Sequence, residues 1–191
     1  MSAATGQTAP GRKELTHERI VSAAARATRR SGYDGTGVAD IMKQVGLTHG
    51  GFYAHFASRD AMLAEAADRA GAESVAFLTR VAAAAPPAEA LGSMIRAYLS
   101  QEHIDGVATG CPVAALGSEM PRQAPKVRRA ATRRIKEMID LVARYSPDRA
   151  RALVTVVTMV GALVLARAVD DPKLSKTVRA ASLKHFDSTD A

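Results

Sequence analysis

The stretch TGVADIMKQVGLTHGGFYAHF, residues 36–56, is the most informative part of the sequence. In its first half, Val38, Ile41 and Val45 are spaced three and four residues apart, which places them on one face of a helix. Thr36 stands just before that helix, and its hydroxyl can accept a hydrogen bond from a free amide of the first turn. This half therefore predicts a short helix with Thr36 as its cap.

The second half predicts a tight turn and another helix. Gly46 can adopt the left-handed conformation that often ends a helix, and Leu47 fills the turn. Thr48 is expected to cap the second helix, whose buried side carries Phe52 and Phe56. Two helices joined by so short a turn are typical of a helix-turn-helix, which places its second helix in the DNA major groove. A plain helical hairpin uses the same turn chemistry and is the alternative.

The exposed side of the second helix distinguishes these two interpretations. It carries hydrogen-bonding groups with little bulk: Thr48, His49, Gly50, Tyr53 and His55. Gly50 and Gly51 each destabilise a helix by about 1 kcal/mol relative to alanine, which a merely structural helix has no reason to carry. Because glycine has no side chain, the backbone can approach DNA closely there. The pattern favours the DNA-binding helix-turn-helix.

In these residues and their neighbours, the chain resembles the TetR/AcrR family of transcriptional regulators. The resemblance is carried by Arg19-Ile20, Ala23-Ala24, Gly32-Tyr33, Val38-Ala39-Asp40-Ile41, Gly46-Leu47-Thr48, Gly50-Gly51-Phe52-Tyr53-Ala54-His55-Phe56, Ser58-Arg59-Asp60 and Leu63. Beyond this first part, the likeness is one of length and helical character. Two positions differ from the family pattern: Thr28 replaces the usual bulky apolar residue, and Arg59 replaces the usual lysine.

The resemblance and the side-chain chemistry together suggest how double-stranded DNA would be bound. Residues 48–50 open the second helix and are expected to approach base edges. Side chains further along, with amides at neighbouring helix starts, are expected to bind phosphates. In the alternative, Tyr53 only shelters the helix bundle and His55 is an ordinary surface residue. The expected DNA-binding residues are Thr36, Thr48, His49, Gly50, Tyr53, His55 and Arg59.

Composition suggests a soluble chain in a reducing compartment. The single cysteine excludes an internal disulfide, which fits the cytoplasm. No signal peptide is recognisable at the start, and no stretch of 18 apolar residues is free of charge. The most apolar stretch, residues 152–166, lies between Arg151 and Arg167 and is interpreted as a buried helix. We therefore expect a cytoplasmic protein with no membrane partner.

The net charge of +7 suggests an anionic partner, but most of the excess lies outside the helix-turn-helix. Residues 1–60 carry 8 basic and 5 acidic side chains, whereas residues 121–151 carry 10 basic and 3 acidic ones. The second region is predicted to be a helix with these cations: Lys126, Arg128, Arg129, Arg133, Arg134 and Lys136. A solvated face beside a ligand cavity is the simpler interpretation, and a second nucleic-acid surface is the alternative.

The rest of the sequence predicts helices without strand-like alternation. The expected helices span residues 16–31, 58–84, 87–103, 112–119, 125–145, 146–169 and 172–186, with caps at Thr16, Ser58 and Ser146. Arg26, Arg29 and Arg30 are expected on a solvated face. We predict an all-α fold of about nine helices in three parts. These are a flexible arm (1–14), a helix-turn-helix DNA-binding domain (15–60) and a helical ligand-binding and dimerisation domain (61–191).

Arg12 and Lys13 lie at the end of the predicted arm. Either the arm touches backbone phosphates beside the main docking helix, or it is a solvated tail.

No catalytic constellation is recognisable. The sequence has no phosphate-binding glycine loop, no Gly-x-Ser-x-Gly motif and no close acidic pair with a histidine. The five histidines are scattered without metal-ligand spacing: His17, His49, His55, His103 and His185. We expect neither an enzyme nor a bound metal or cofactor.

Two further sets of residues are candidates for regulation and assembly. The ligand-lining candidates are Phe77, Met94, Tyr98, His103, Cys111, Met120, Met138 and Met159, although a methionine-rich interior is more often ordinary core. The dimer-interface candidates are Val156, Val160, Gly161, Val164, Ala168 and Leu183, on two helices that the resemblance implies meet their counterparts in a second subunit. Without the resemblance, these two helices are equally well interpreted as internal core.

Cys111 has a second interpretation. It precedes a predicted helix, whose dipole favours the thiolate, so it is a candidate sensor of electrophiles or oxidants. The alternative is a small buried apolar residue.

Taken together, these features predict a homodimeric transcriptional regulator that binds a roughly palindromic operator. A repressor released by a small-molecule inducer is the main hypothesis; an activator of the same fold is the alternative. An architectural DNA-binding protein and a helical enzyme are hypotheses from other classes. The large second part of the chain disfavours an architectural DNA-binding protein. The absence of a recognisable catalytic pattern in the sequence disfavours an enzyme.

Overall fold

The structure is a computed structural model that describes residues 11–189, with side chains through residue 186. Within this range it contains nine α-helices, three short 3₁₀ helices and no strand. The α-helices are α1 (Arg12–Ser31), α2 (Val38–Gln44), α3 (Arg59–Ala84), α4 (Ala90–Tyr98), α5 (Gln101–Asp105), α6 (Pro112–Leu116), α7 (Pro125–Ala143), α8 (Arg149–Ala168) and α9 (Pro172–Thr189). The 3₁₀ helices are His49–Ala54, Pro87–Glu89 and Met120–Arg122. The predicted all-α fold is confirmed.

One cluster of buried apolar side chains joins α1, α2, the His49–Ala54 helix and the first half of α3. Its largest members include Ile20, Tyr33, Ile41, Phe52 and Leu63. Leu116 of α6 and Val127 and Ala130 of α7 belong to the same cluster. The helix-turn-helix module, defined here as residues 12–58, therefore shares its core with α6 and with the start of α7.

A second cluster lies between the other half of α3 and helices α4 to α9, and includes Leu78, Tyr98, Leu141 and Leu163. Since α3 is continuous from Arg59 to Ala84, it runs through both clusters. Domain boundaries at residues 14 and 60 stay a prediction, because packing crosses the second of them.

Helices α3 and α7 approach each other closely. A Cβ atom added to Gly71 would lie 2.3 Å from the Cβ atom of Arg134, so only glycine fits there. Asp68 of α3 binds the Arg134 guanidinium at 2.6 Å, and Arg133 bonds the same carboxylate. These bonds hold α7 firmly against α3.

The predicted helix ends at Gly32 and Gly46 and the predicted cap at Ser58 are confirmed. Gly32 and Gly46 follow α1 and α2 with φ of 76° and 73°, in the left-handed region that favours glycine. Ser58 caps α3 by accepting a hydrogen bond from the Ala61 amide at 3.2 Å. Thr28 is buried, and its hydroxyl donates to the Ala24 carbonyl at 3.0 Å, so a polar residue is tolerated inside α1.

The predicted caps of the first three helices were wrong. The first helix begins at Arg12 rather than after Thr16, because Glu14 accepts a hydrogen bond from the Gly11 amide at 2.8 Å. The Thr16 hydroxyl instead donates to the Arg12 carbonyl within the helix. Arg12 and Lys13 are thus helical, and residues 1–10 of the predicted arm lie outside the described residues.

Thr36 and Thr48 do not use their side chains as caps. Gly37 is the N-cap of α2, while the buried Thr36 hydroxyl donates to the Gly32 carbonyl at 2.7 Å. Thr48 precedes the His49–Ala54 helix without a side-chain hydrogen bond. The second helix of the helix-turn-helix, His49–Ala54, is a 3₁₀ helix rather than an α-helix.

The predicted helix over residues 87–103 is interrupted. Ser100 accepts a hydrogen bond from the His103 amide and starts α5, while Arg179 of α9 binds the Leu99 carbonyl at 2.7 Å. The helix predicted at 112–119 ends at Leu116. Asp148, and not Ser146, caps α8 by accepting from the Arg151 amide at 2.8 Å.

Helix α8 is long and apolar enough to cross a membrane by length and composition alone, with a mean hydropathy of 1.7 over an 18-residue window. The core helix of a soluble protein can meet the same criteria, and α8 packs against α7 and α9.

Candidate nucleic-acid interface, cleft and joint

The His49–Ala54 helix presents an exposed polar edge. Thr48, His49 and Gly50 are exposed, and Tyr53 is 68% exposed although it is a large aromatic residue. The His49 and Tyr53 rings meet edge to face with centroids 6.3 Å apart. Phe52 and Phe56 stack on the opposite side at 5.4 Å and bury that side in the module. The structure therefore brings together four of the predicted DNA-binding residues.

The glycines in this helix are not needed for internal packing. A Cβ atom at Gly50 would meet nothing within 4 Å, and one at Gly51 would make ordinary contacts with Met42 and Thr48. Neither residue has a positive φ. The fold accepts a side chain at either position, which leaves close approach of an external molecule as a reason for glycine.

His55 is half-buried within the module and does not lie fully on the exposed edge of the His49–Ala54 helix. Burial, with His17 and Lys13 nearby, lowers the pKa of His55 from its ordinary value. A neutral imidazole can donate a hydrogen bond to a phosphate, but it adds no charge. His17 stacks on Phe56 and bonds Glu65 at 2.6 Å, which ties α1 to α3.

Arg59 has a role inside the protein that the sequence did not predict. Its guanidinium donates to the carbonyls of Tyr33 and Thr36, so it holds the α1–α2 loop against the start of α3. Thr36 is buried and reaches no surface with its side chain. The structure thus gives both residues positioning roles, and a phosphate contact by Arg59 stays a prediction.

A cleft of about 370 Å³ opens between α1, α3 and the α5–α6 segment. We call it the effector cleft; its walls include Phe77, Ser100, His103 and Gly110, with Arg26, Arg80, Glu73 and Glu102 also lining it. Phe77 and His103 were predicted as ligand-lining residues. Their rings lie 5.9 Å apart, so the cleft offers an aromatic wall.

The other ligand candidates lie deeper. Cys111, Met120 and Met138 surround a narrow void of about 20 Å³ between α3, α6 and α7, which is about the size needed for one water molecule. Met94, Tyr98 and Met159 are fully packed in the second cluster. The predicted set is therefore divided between the effector cleft, this void and ordinary core.

Cys111 connects the void to the cleft. Its amide donates to Nε2 of His103 at 3.0 Å, and Nδ1 of His103 donates to the Tyr98 carbonyl at 2.6 Å. His103 is therefore neutral, in agreement with burial lowering its pKa.

The Tyr98 hydroxyl and the Arg167 guanidinium lie beside the Cys111 thiol, and burial raises the pKa of Tyr98 well above its ordinary value. Nη1 of Arg167 is buried with no hydrogen-bond partner in the described part of the chain.

Arg29 and Glu119 form hydrogen bonds between the helix-turn-helix module and later segments of the chain, and we call these contacts the coupling joint. Arg29 of α1 binds Glu73 at 2.6 Å and donates to the Gly110 carbonyl at 3.3 Å. Glu119, after α6, accepts a hydrogen bond from the Tyr33 amide at 2.8 Å. The Arg29 side chain is fully buried, so the expectation of a solvated face was wrong for this residue. No sequence spacing indicates either contact, because both join residues far apart in the chain.

Helix α8 has an exposed apolar stripe, which we call the α8 outer face. It contains Leu153, Val154, Val157, Gly161, Val164, Leu165 and Ala168. Val157 is 69% exposed, and a Cβ atom at Gly161 would meet nothing within 4 Å. Of the predicted interface residues, Val156 is buried inside, and Val160 and Leu183 pack on the core. The sequence missed Leu153, Val154, Val157 and Leu165 because α8 is apolar on nearly every side.

In the described part of the chain, no group of three or more potential metal-ligating side chains is close enough to hold a metal ion.

Comparison with known families agrees with this arrangement. Residues 20–66 match the profile described as bacterial regulatory proteins, tetR family. Residues 87–180 match the C-terminal domain of LmrA/YxaF-like transcriptional regulators. The chain belongs to the TetR family of transcriptional regulators. It is therefore a DNA-binding regulator with a helix-turn-helix, and not an enzyme.

Solved TetR-type structures share the fold. E. coli NemR in its reduced form is 20% identical, with a TM-score of 0.76 over 90% of this chain and 94% of that one. A TetR regulator from Chloroflexus aurantiacus is 24% identical, with a TM-score of 0.76 over 92% and 96%. One from Agrobacterium tumefaciens is 21% identical, with a TM-score of 0.74 over 91% and 98%. No curated protein sequence matches the chain.

Proposed function

We propose that this TetR-family regulator is a cytoplasmic homodimeric repressor that binds a palindromic operator and is released by a small-molecule inducer. The observation that carries the proposal is the coupling joint, because it connects the wall of the effector cleft directly to the DNA-binding module. A ligand that displaces Gly110 would act on Arg29, and through it on α1. By reciprocity, bound DNA would weaken ligand binding by the same factor.

The proposed dimer uses the α8 outer face. A stripe of large apolar side chains exposed to water is unfavourable, and pairing it with a second copy removes it from water. Twofold symmetry would then present two His49–Ala54 helices to successive major grooves.

Selection of bound sequences from random duplex DNA, followed by a screen for compounds that release them, tests this function. The proposal requires a palindromic consensus and at least one compound that lowers DNA affinity. Recovery of no preferred sequence, or of an asymmetric one bound by a monomer, would contradict it.

Within that operator, base contacts and phosphate contacts are separable. We expect His49→Ala to lower the ratio of operator to random-DNA affinity by about tenfold, since a good base contact contributes about 1–3 kcal/mol of discrimination. Tyr53→Phe removes only a hydroxyl and is expected to weaken operator and random DNA alike. Gel-shift titration of both variants measures this difference. Unchanged affinity and specificity in both would remove the assignment.

Sensing through Cys111 is a second candidate function, favoured by the Tyr98 hydroxyl and the Arg167 cation beside the thiol. Cys111 is buried next to Gly110, so an adduct on its sulfur would displace the Gly110 carbonyl that Arg29 binds. We expect N-ethylmaleimide to release DNA from the wild-type protein, while Cys111→Ser keeps its DNA bound under the same treatment. Equal release of both proteins, or of neither, would eliminate the sensor function. A mass shift of one adduct on the wild-type chain alone identifies the modified site.

A further inference from the structure

One face of α7 carries four exposed cations, and only one of them is paired with a described residue. The face, which we call the α7 cationic stripe, consists of Arg128, Arg129, Arg133 and Lys136, all exposed. Arg133 bonds Asp68, but the other three make no hydrogen bond or ion pair with another described side chain. Together with Pro125, Thr132 and Glu137, they line a shallow groove of about 620 Å³. At 1.5 Å per residue, the stripe is about 12 Å long.

Apart from Asp68, which Arg133 and Arg134 share, the acidic residues of this region bind groups outside the stripe. Residues 121–151 contain 3 acidic side chains against 10 basic ones. Glu137 binds Arg134 at 2.7 Å, Asp140 binds Arg149 at 2.8 Å, and Asp148 caps α8. The excess positive charge of this region is therefore exposed to solvent, where it is available to an external anion.

The stripe is rigidly continuous with the DNA-binding module. Lys126, in the first turn of α7, donates to the Ser58 hydroxyl at 2.9 Å, and Ser58 caps the helix that follows the module. Val127 and Ala130, on the inner side of the same turns, belong to the hydrophobic cluster of Phe52 and Ile41. The stripe cannot move independently of the module without breaking this packing.

We propose that the α7 cationic stripe is a second phosphate-binding surface, occupied by the duplex DNA that the helix-turn-helix engages. It extends the interaction with the sugar-phosphate backbone from the start of α3 along the outside of α7. Since it reads no base edges, it strengthens binding to every sequence and leaves operator preference unchanged. The inference rests on DNA binding by the module, and continuity with the module favours DNA over an anionic membrane or an acidic protein.

Salt dependence of DNA affinity tests the proposal, because each phosphate that the protein neutralises steepens the dependence by a fixed amount. The stripe variant combines Arg128→Gln, Arg129→Gln and Lys136→Gln. Its matched control combines Arg144→Gln, Arg151→Gln and Lys176→Gln, which removes the same charge at exposed positions off the stripe. Binding of the full chain to a mixed-sequence duplex of about 40 base pairs is measured from roughly 50 to 300 mM salt.

We expect the slope of log affinity against log salt to become shallower by about one for each phosphate that the variant no longer neutralises, and affinity at the lowest salt to fall at least about tenfold. The control should keep a slope close to that of the wild type. Arg128→Lys with Arg129→Lys should also keep it, since neutralising a phosphate needs only the charge. Thermal unfolding monitors the fold of each variant.

Three outcomes would overturn the proposal. An unchanged slope in the stripe variant would show that the cations do not meet phosphates, and an equally shallow slope in the control would show an effect of net charge alone. Capture of phosphatidylglycerol vesicles without a change in the DNA slope would assign the stripe to a membrane. A wild-type protein that binds no duplex at all would remove the DNA-binding function itself, which distinguishes the two failures.

Discussion

Val157→Asp on the α8 outer face is expected to convert the proposed dimer into monomers and to lower operator affinity at least about a hundredfold. Two carboxylates, one from each subunit, would be buried in an apolar interface without partners, which costs several kcal/mol. Binding by two linked modules exceeds binding by one by about 10²–10⁴-fold, and this advantage disappears in a monomer. Light scattering after size-exclusion chromatography gives the mass, and DNA titration gives the affinity.

Ala76→Asp is the matched control, because it introduces the same charge at an exposed position of α3. It should remain dimeric and bind DNA normally. A Val157→Asp protein that stays dimeric with full affinity would show that another surface forms the dimer.

Arg29→Met is expected to have the second large effect, on both stability and regulation. Methionine keeps much of the buried bulk but cannot form the bonds to Glu73 and to the carbonyl of Gly110, a residue that is itself buried. Hydrogen bonds to charged groups contribute about 1.5–3 kcal/mol, so we expect the free energy of unfolding to fall by about 2 kcal/mol. Glu73 is partly exposed, so water can solvate its carboxylate in the variant. This limits the decrease in the free energy of unfolding.

The same variant should respond poorly to inducer. If Arg29 transmits movement of the cleft wall to α1, the ratio of DNA affinities without and with inducer should approach one. Inducer affinity itself should be little changed, because Arg29 does not line the effector cleft.

Arg30→Met provides the control, since Arg30 is the exposed neighbour and its side chain makes no hydrogen bond to another described residue. Urea unfolding and DNA titration with a compound from the release screen measure both effects. Full induction in a destabilised Arg29→Met protein would restrict this residue to a structural role.

The features predicted correctly are those that depend on residues close together in the chain. Gly46 ends α2 and Ser58 caps α3 because a left-handed turn and a helix N-terminus are satisfied by neighbouring atoms. The spacing of Phe52 and Phe56 likewise defines a buried side without knowledge of what covers it. The family resemblance rested on this same local stretch, and the family profile over residues 20–66 agrees with it.

The helix caps at Thr16, Thr36 and Ser146 were wrong although their partners are local, whereas other errors arose where a distant residue supplies the partner. The burial of the Arg29 side chain, which was expected on a solvated face, depends on Glu73 and on the Gly110 carbonyl. The break between α4 and α5 depends on Arg179, which binds the Leu99 carbonyl from α9.

The sequence by itself determined that the chain is helical, where its helix-turn-helix lies and which residues form the exposed edge of that motif, since helix periodicity and turn chemistry are local. Only the tertiary structure decided which side of α8 faces solvent and which arginine is buried at the coupling joint. It also decided that α7 shares the core of the DNA-binding module. These outcomes depend on packing between segments far apart in the chain, and that packing leaves no periodic signal in either segment alone.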